Sequence, residues 1–249
     1  MKSVYSLEFR LLNTSDPAQK DLVEACYRLW RPVWSDTFAE LSVQRDLYSE
    51  DFLDRELGGL FFNGQPVGFL LWRFFDLSRE SHRGHSYFKN YSPELKELVR
   101  ALGQTMIISY MTIDPAWRKS ETDIPVSELL ISFSVKRFLE SRAENLLGYF
   151  RNNRKTNEMF YRHGGIPLQK STSAYNVDVD FAYITKASAH ESTLPAAAAA
   201  ATELWAEAIQ TNNKSHTERH PNDSRKSTAP NEHPDRNLQS HQLERLSDL

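Results

Sequence analysis

Thr105-Met106-Ile107-Ile108-Ser109-Tyr110-Met111-Thr112-Ile113, followed at once by Asp114-Pro115-Ala116-Trp117-Arg118-Lys119, is the stretch on which the fold turns. The first nine residues carry no charge and are rich in β-branched and aromatic side chains. They read as a strand buried on both faces. Asp114-Pro115 stops it, because proline offers no N–H to a sheet ladder and restricts the residue before it. Beyond the stop, Val126–Leu139 carries apolar residues at 126, 129, 130 and 133, the spacing of an amphipathic helix, with Pro125 tolerated in its first turn. A buried strand, a polar corner and a helix therefore follow one another directly.

Working outward, Leu57–Phe62 and Val67–Phe75 are apolar runs separated by Asn63-Gly64-Gln65-Pro66. Asn-Gly between such runs predicts a hairpin, since both residues tolerate positive φ. Val4–Leu12 alternates as a first strand. Asp16-Pro17 opens a helix with Leu22, Cys26, Leu29 and Trp30 on one face, and residues 31–56 read as one or two short helices. Ser78–Arg100 is a polar excursion. After the Val126 helix come a short strand at Leu146–Phe150, a short helix at Thr156–Arg162 stopped by His163-Gly164-Gly165, and strands at Pro167–Ser173 and Tyr175–Ile184. The pattern predicts an α/β (α+β) domain with a mixed central sheet of about six to seven strands and helices on both faces.

Composition bounds the rest. The chain has 249 residues, and its nine glycines all lie before residue 187, as do all aromatics except Trp205. Lysine plus arginine balances aspartate plus glutamate at 24 each over residues 1–186, so the net charge of −3 falls on residues 187–249. A neutral domain carries no footprint for nucleic acid. Residues 1–186 are expected to fold as the domain, 187–210 as an Ala-rich linker or short helix, and 211–249 as a disordered polar tail. One cysteine, Cys26, suits a reducing compartment. Met1–Arg10 lacks the apolar core of a signal peptide, and Leu57–Leu71 is too short to span a bilayer. A cytoplasmic protein without a membrane span is the expectation.

The order of elements and two stretches resemble the GNAT (GCN5-related) N-acetyltransferase superfamily. In that family a central strand ends in a Val-x-Pro-x-x-Arg-like segment, here Ile113-Asp114-Pro115-Ala116-Trp117-Arg118. A loop and helix follow whose backbone amides hold the CoA pyrophosphate. The second stretch, Asn152–Gly165, resembles the family's strand end, Asn, short Tyr-bearing helix and Gly. Together they cover roughly residues 4–185. The resemblance implies an N-acyltransferase that moves an acyl group from acetyl-CoA or a longer acyl-CoA, or from acyl carrier protein, to a primary amine. It implies donor-binding roles for Thr112, Ile113, Arg118, Lys119, Ser120, Glu121, Thr122, Asp123 and Asn153, with the backbone near Thr112–Ile113 contacting the thioester oxygen. Pantetheine is expected between the Thr105–Ile113 and Leu146–Phe150 strands.

The pattern is divergent. Arg118–Asp123 has no glycine and carries Glu121 and Asp123, where the family's loop has glycines that let backbone approach phosphate. Branches that make N-acyl amino acids or acyl-homoserine lactones have similarly irregular loops, and the aromatic-rich Trp30–Tyr48 segment suits them. Asn152–Gly165 admits two registers, with Phe160 or Tyr161 at the family's tyrosine position. The second makes Tyr161 the proton source for the leaving thiolate; a half-buried packing tyrosine is the other reading. Asp114, Tyr110 and Glu56 are candidate bases, and none stands out. A non-catalytic GNAT-like ligand sensor or partner-binding scaffold is the alternative reading. His82-Arg83-Gly84-His85 lacks further ligands nearby for a metal and reads as a mobile surface loop. Cys26 reads as a buried core thiol.

Overall fold

The computed structural model describes residues 3–89, 91–118 and 123–218, with side chains up to residue 209. The chain divides into two units, Met1–Asn212 and Asn213–Leu249. Of the second unit, residues 213–218 are helical.

The first unit is built on seven strands: β1 (Glu8–Asn13), β2 (Glu56–Phe62), β3 (Gln65–Asp76), β4 (Gln104–Ile113), β5 (Asn145–Arg151), β6 (Ile166–Ala174) and β7 (Val177–Thr185). They form one mixed sheet in the order β1-β2-β3-β4-β5-β7-β6. Every neighbouring pair is antiparallel except β4 and β5. That parallel pair requires a crossover, and α4 (Val126–Glu140) supplies it. The β2–β3 turn forms where Asn-Gly demands it, with Asn63 at φ 50° and Gly64 at φ 75°.

Helices cover both faces. On one side α4 packs over Leu60, Leu70, Trp72, Met106, Ile108 and Leu146. On the other, α1 (Lys20–Glu40) buries Cys26 and Trp30 against Leu57, Phe69 and Leu71. Further along that face, α3 (Pro93–Arg100, following the four-residue α2, Glu80–Arg83) and the Tyr87–Tyr91 aromatics pack on Ile107, Leu147 and Phe181. The last helices are α5 (Thr156–Tyr161) and α6 (Pro195–Glu218).

Four expectations are corrected. The first helix does not stop near Trp30; it runs through Pro32 to Glu40, because its apolar stripe continues through Val33 and Phe38. The Ser78–Arg100 excursion is structured: Ser92 accepts from the Leu95 amide to cap α3, and His82 Nδ1 accepts from the Asp76 amide at 2.7 Å. His82 and His85 are thus tied into local turns. Tyr175 belongs to the β6–β7 turn rather than to a strand, with Tyr175 and Asn176 both at positive φ. Finally, the helix beginning at Pro195 extends to Glu218, beyond the boundary expected at 210; residues 219–249 lie outside those described. Its small residues Ala197, Ala200 and Ala201, with Leu204 and Trp205, join the α4 core. This explains why α4 is buried on more than one face, Ile131, Val135 and Phe138 included. No helix among the described residues is long and apolar enough to cross a membrane.

Candidate active site

The geometry of interest begins where β4 and β5 part. Only Thr105↔Asn145, Met106↔Leu146 and Ile107↔Leu147 pair across them, although β4 continues to Ile113 and β5 to Arg151. Each strand stays paired on its outer side, β4 with β3 as far as Ile113 and β5 with β7 as far as Arg151. The sheet therefore opens into a wedge between Ile108–Ile113 and Gly148–Arg151. Backbone groups facing the wedge have no strand partner across it, and such groups call for hydrogen bonds from elsewhere.

β4 is also bent there. Its register with β3 shifts by one residue between Leu71↔Ser109 and Phe69↔Thr112, and Tyr110 sits at φ 54°. This is a β-bulge, which re-aims side chains and increases twist. The Tyr110 ring lies edge-on to Trp30 and Trp34 at 5.4 and 5.0 Å. Its hydroxyl donates to Asp51 Oδ1 at 3.0 Å, and Arg45 Nη2 donates to the same oxygen at 2.9 Å. Next along, Thr112 is fully buried. Its Oγ1 accepts from Trp34 Nε1 at 3.1 Å and donates to the Tyr110 carbonyl at 2.9 Å. The bulge is thus held from the α1 side by two tryptophans.

The corner after β4 gathers several of the residues singled out in the sequence. Asp114 Oδ1 accepts from the Ala116 amide at 2.8 Å, capping the 3-10 turn Pro115–Trp117. Arg118 is exposed, and its Nε donates to the Ile113 carbonyl at 3.0 Å. Lys119, Ser120, Glu121 and Thr122 lie outside the described residues. Asp123 does not cap α4: its Oδ1 accepts from the amides of Val4 and Ile124, both at 3.1 Å. Pro125 occupies the N-cap and provides no side-chain cap.

Asn153 and Tyr161 lie on the other arm, after β5. Asn153 sits in the exposed 3-10 turn Asn152–Arg154 and accepts from Arg151 Nε at 3.3 Å. Phe160 is fully buried and stacks on Phe150 with ring centroids 4.0 Å apart, so the Phe160 register puts a core residue at the family's tyrosine position. Tyr161 is half-buried, and its hydroxyl proton is already committed, since it donates to Asp180 Oδ2 at 2.6 Å. Burial raises the Tyr161 pKa, and the bond to Asp180 raises it further. A phenol held this way is a weak proton donor to a thiolate.

Asp180 itself was not legible as a site residue. The alternation Val177, Val179, Phe181 assigns it to the opposite face, yet it is 4% exposed. Four donors converge on its carboxylate: Tyr161 OH, Asn157 Nδ2 at 3.0 Å, Asn152 Nδ2 at 3.1 Å and the Ser171 amide at 2.9 Å. Burial alone would raise its pKa, but these hydrogen bonds outweigh it and bring the value down to about 2. The available signal was indirect: Asn152, Asn157 and Tyr161 crowd donors into one short segment.

The other candidate groups are engaged elsewhere. Glu56 makes a two-pronged ion pair with Arg137 at 2.7 and 2.8 Å. Ser132, His163 and Glu128 sit near one another, with Ser132 Oγ 2.9 Å from His163 Nε2. All three are nearly fully buried, and His163 Nδ1 faces the Met159 carbonyl at 2.9 Å. With Arg162 and Ser192 on Glu128 they form a structural network joining α4, α5 and the segment before α6. Cys26 is fully buried, and burial pushes its thiol pKa well up. Among the described residues no cluster of three or more histidine, cysteine or acidic side chains could hold a metal.

No family model and no curated protein matches this sequence. Solved structures do match. The CoA-dependent acyl-homoserine lactone synthase BjaI, solved with SAM and isopentyl-CoA, superposes with a TM-score of 0.53 at 12% identity, covering 80% of this chain and 89% of that one. FeeM, an N-acyl amino acid synthase from uncultured soil microbes, gives 0.49 at 13% identity, over 73% and 91% of the two chains. The acyl-homoserine lactone synthase LasI gives 0.49 at 15%, over 72% and 89%. The sheet order, the opened β4–β5 pair and the BjaI superposition together show that the chain shares the fold of that acyl-homoserine lactone synthase.

Proposed function

We propose that this chain is an N-acyltransferase that moves an acyl group from an acyl-CoA or acyl carrier protein thioester to a primary amine. The wedge beyond Ile107 and Leu147 carries this reading, because it offers an extended arm two unpaired strand edges in the middle of an otherwise continuous sheet. A pantetheine arm, with its two amides, has the groups to fill it. The donor's phosphates then lie toward Arg118 and the segment through residue 123, near the start of α4. Backbone at Thr112–Ile113 serves the thioester oxygen, and Asn153 serves the donor from the β5 side.

In the step itself the amine nitrogen bonds to the acyl carbon and the C–S bond breaks. The nitrogen's surplus proton goes to the departing thiolate, so no dedicated acid is required. Tyr161 acts as a positioning residue, fixing α5 to β7 through Asp180. Asp51, bonded to Tyr110 at the bulge, is the carboxylate placed to relieve the acceptor of a proton. Residues 1–186 form the catalytic domain, braced by α6, and the sequence after α6 is a polar tail. The protein works in a reducing cytosol.

The committed Tyr161 proton and the glycine-free loop favour a second reading, a GNAT-like sensor that binds a thioester without turnover. Titration calorimetry with acetyl-CoA and decanoyl-CoA, paired with a thiol-release assay on a pool of primary amines, separates the two. Saturable binding with amine-dependent thiol release supports the transferase. Binding without release supports the sensor, and no binding of either donor removes both.

A further inference from the structure

Arg55 ends the loop before β2 and is 6% exposed. Its backbone is pinned: the amide donates to Thr14 Oγ1, and the carbonyl accepts from both Thr14 N and Thr14 Oγ1, all at 3.0 Å. The guanidinium makes one hydrogen bond among the described residues, from Nη1 to Ser109 Oγ at 2.9 Å. Its Nε is buried with no partner. The use of Nη1 leaves the Nε–Nη2 edge, two parallel N–H donors at the spacing of a carboxylate.

Among the described residues no carboxylate forms an ion pair with this guanidinium, although the charge of Asp51 reaches it. Asp51, the acid nearest in kind, is bonded by Arg45 and Tyr110. A second guanidinium adds to the positive field: Arg73 donates to the Leu53 carbonyl at 3.0 Å and meets His85 Nε2 at 2.7 Å, and it too has no acidic ion-pair partner among the described residues. Burial and the neighbouring Arg73 bring the Arg55 pKa down to about 10. A buried cation with an orphaned donor is costly, and an apolar side chain of the same length would serve stability better. The Tyr110 ring, 5.6 Å from the guanidinium carbon, offsets part of that cost but leaves Nε unbonded.

Location supplies the function. Ser109 lies two residues past Ile107, the last rung that joins β4 to β5, and one residue before the bulge. We propose that Arg55 recognises a carboxylate carried by the acceptor amine, which makes the acceptor an amino acid or a similar amino-carboxylate. The inference rests on the transferase reading and names the substrate class of that same site. A carboxylate on the Nε–Nη2 edge sets an amine on the adjacent carbon beside β4, just past the point where the strands part. Arg73 strengthens the local field without taking a place on the edge.

The test uses the full chain with acetyl-CoA and decanoyl-CoA as donors, and two matched acceptor pools: L-amino acids and the amines they become without their carboxylate. Thiol release is expected to favour the amino acids by about 100-fold in kcat/KM, the loss typical of removing one partner of a buried charge-assisted pair. Arg55→Met abolishes the preference, mainly through KM, while Arg55→Lys keeps part of it. Equal use of both pools by the wild type, or a preference that survives Arg55→Met, overturns the proposal and leaves the transferase reading standing. If neither pool releases thiol, thermal denaturation decides: amino acids that raise the wild-type Tm but not that of Arg55→Met support the anion site. No rise in the wild type rejects it. Arg55→Met removes an unpaired buried charge, so it is expected to melt no lower than the wild type. A clear drop in Tm would mark Arg55 as purely structural.

Discussion

Replacing Asp180 with Asn puts the geometry beyond β5 to a quantitative test. The carboxylate accepts four hydrogen bonds, and its pKa lies at about 2 against an ordinary 3.8. At about 1.4 kcal/mol per pKa unit, the charged form contributes roughly 2 kcal/mol to folding. An amide at this position also turns a donor toward Tyr161 or Asn157, and a buried donor left unmatched costs about 1–3 kcal/mol. Rotation of the Tyr161 hydroxyl recovers part of this, so Asp180→Asn should cost about 2–4 kcal/mol at pH 7. The sign with pH follows from the depressed value: the contribution is complete above the ordinary carboxylate pKa and is lost as pH falls through the folded-state value. Urea unfolding followed by tryptophan fluorescence should therefore show the gap between wild type and variant narrowing by roughly half between pH 6 and pH 2. A gap that does not change with pH, or one under about 1 kcal/mol at pH 7, refutes the reasoning that these four donors serve a carboxylate.

Other consequences follow from the same contacts. Tyr161→Phe should destabilise by about 1.5–3 kcal/mol, the range for a hydrogen bond to a charged group, while thiol release falls less than about tenfold; a loss of several hundred-fold at unchanged stability would restore Tyr161 as the acid. Burial holds the His163 pKa below its ordinary 6.5 despite its bond to Met159, so the unfolded chain takes up the proton first and stability declines as pH falls below 6.5. His163→Gln should flatten the part of the Tm-versus-pH curve between pH 6.5 and 5, and an unchanged slope contradicts this. Trp205 stacks on Phe9 at 5.1 Å and donates to Glu140 at 2.7 Å, so Trp205→Ala should cost about 3–5 kcal/mol in urea unfolding. A cost under about 1 kcal/mol would show that α6 does not brace the domain.

What the sequence disclosed was local chemistry. Asn63-Gly64 announced the β2–β3 turn because few residues accept positive φ, and Asp114-Pro115 announced the end of β4 because proline cannot extend a ladder. What it concealed depends on partners distant in the chain. Residues 31–56 read as separate short helices, yet the continued burial of Val33 and Phe38 carries α1 through Pro32 to Glu40. The alanines of α6 advertised helix but not the partner it docks on, since small side chains give little amphipathic signal while permitting close approach to α4. Asp180 and Arg55 escaped notice because each is an ordinary charged residue until the fold closes around it. The wedge between β4 and β5 is likewise invisible in either strand alone, as both strands stay paired on their outer sides to their ends, β4 with a bulge at Tyr110.

Hydrogen exchange read by mass spectrometry, with and without acyl-CoA, addresses that wedge directly. If a pantetheine arm enters it, peptides covering Ile108–Ile113 and Gly148–Arg151 become protected on adding decanoyl-CoA, while those covering Leu60–Phe62 do not change. Binding that leaves both wedge segments exchanging as before, or that protects some other part of the sheet, contradicts the claim that the parted strands receive the donor.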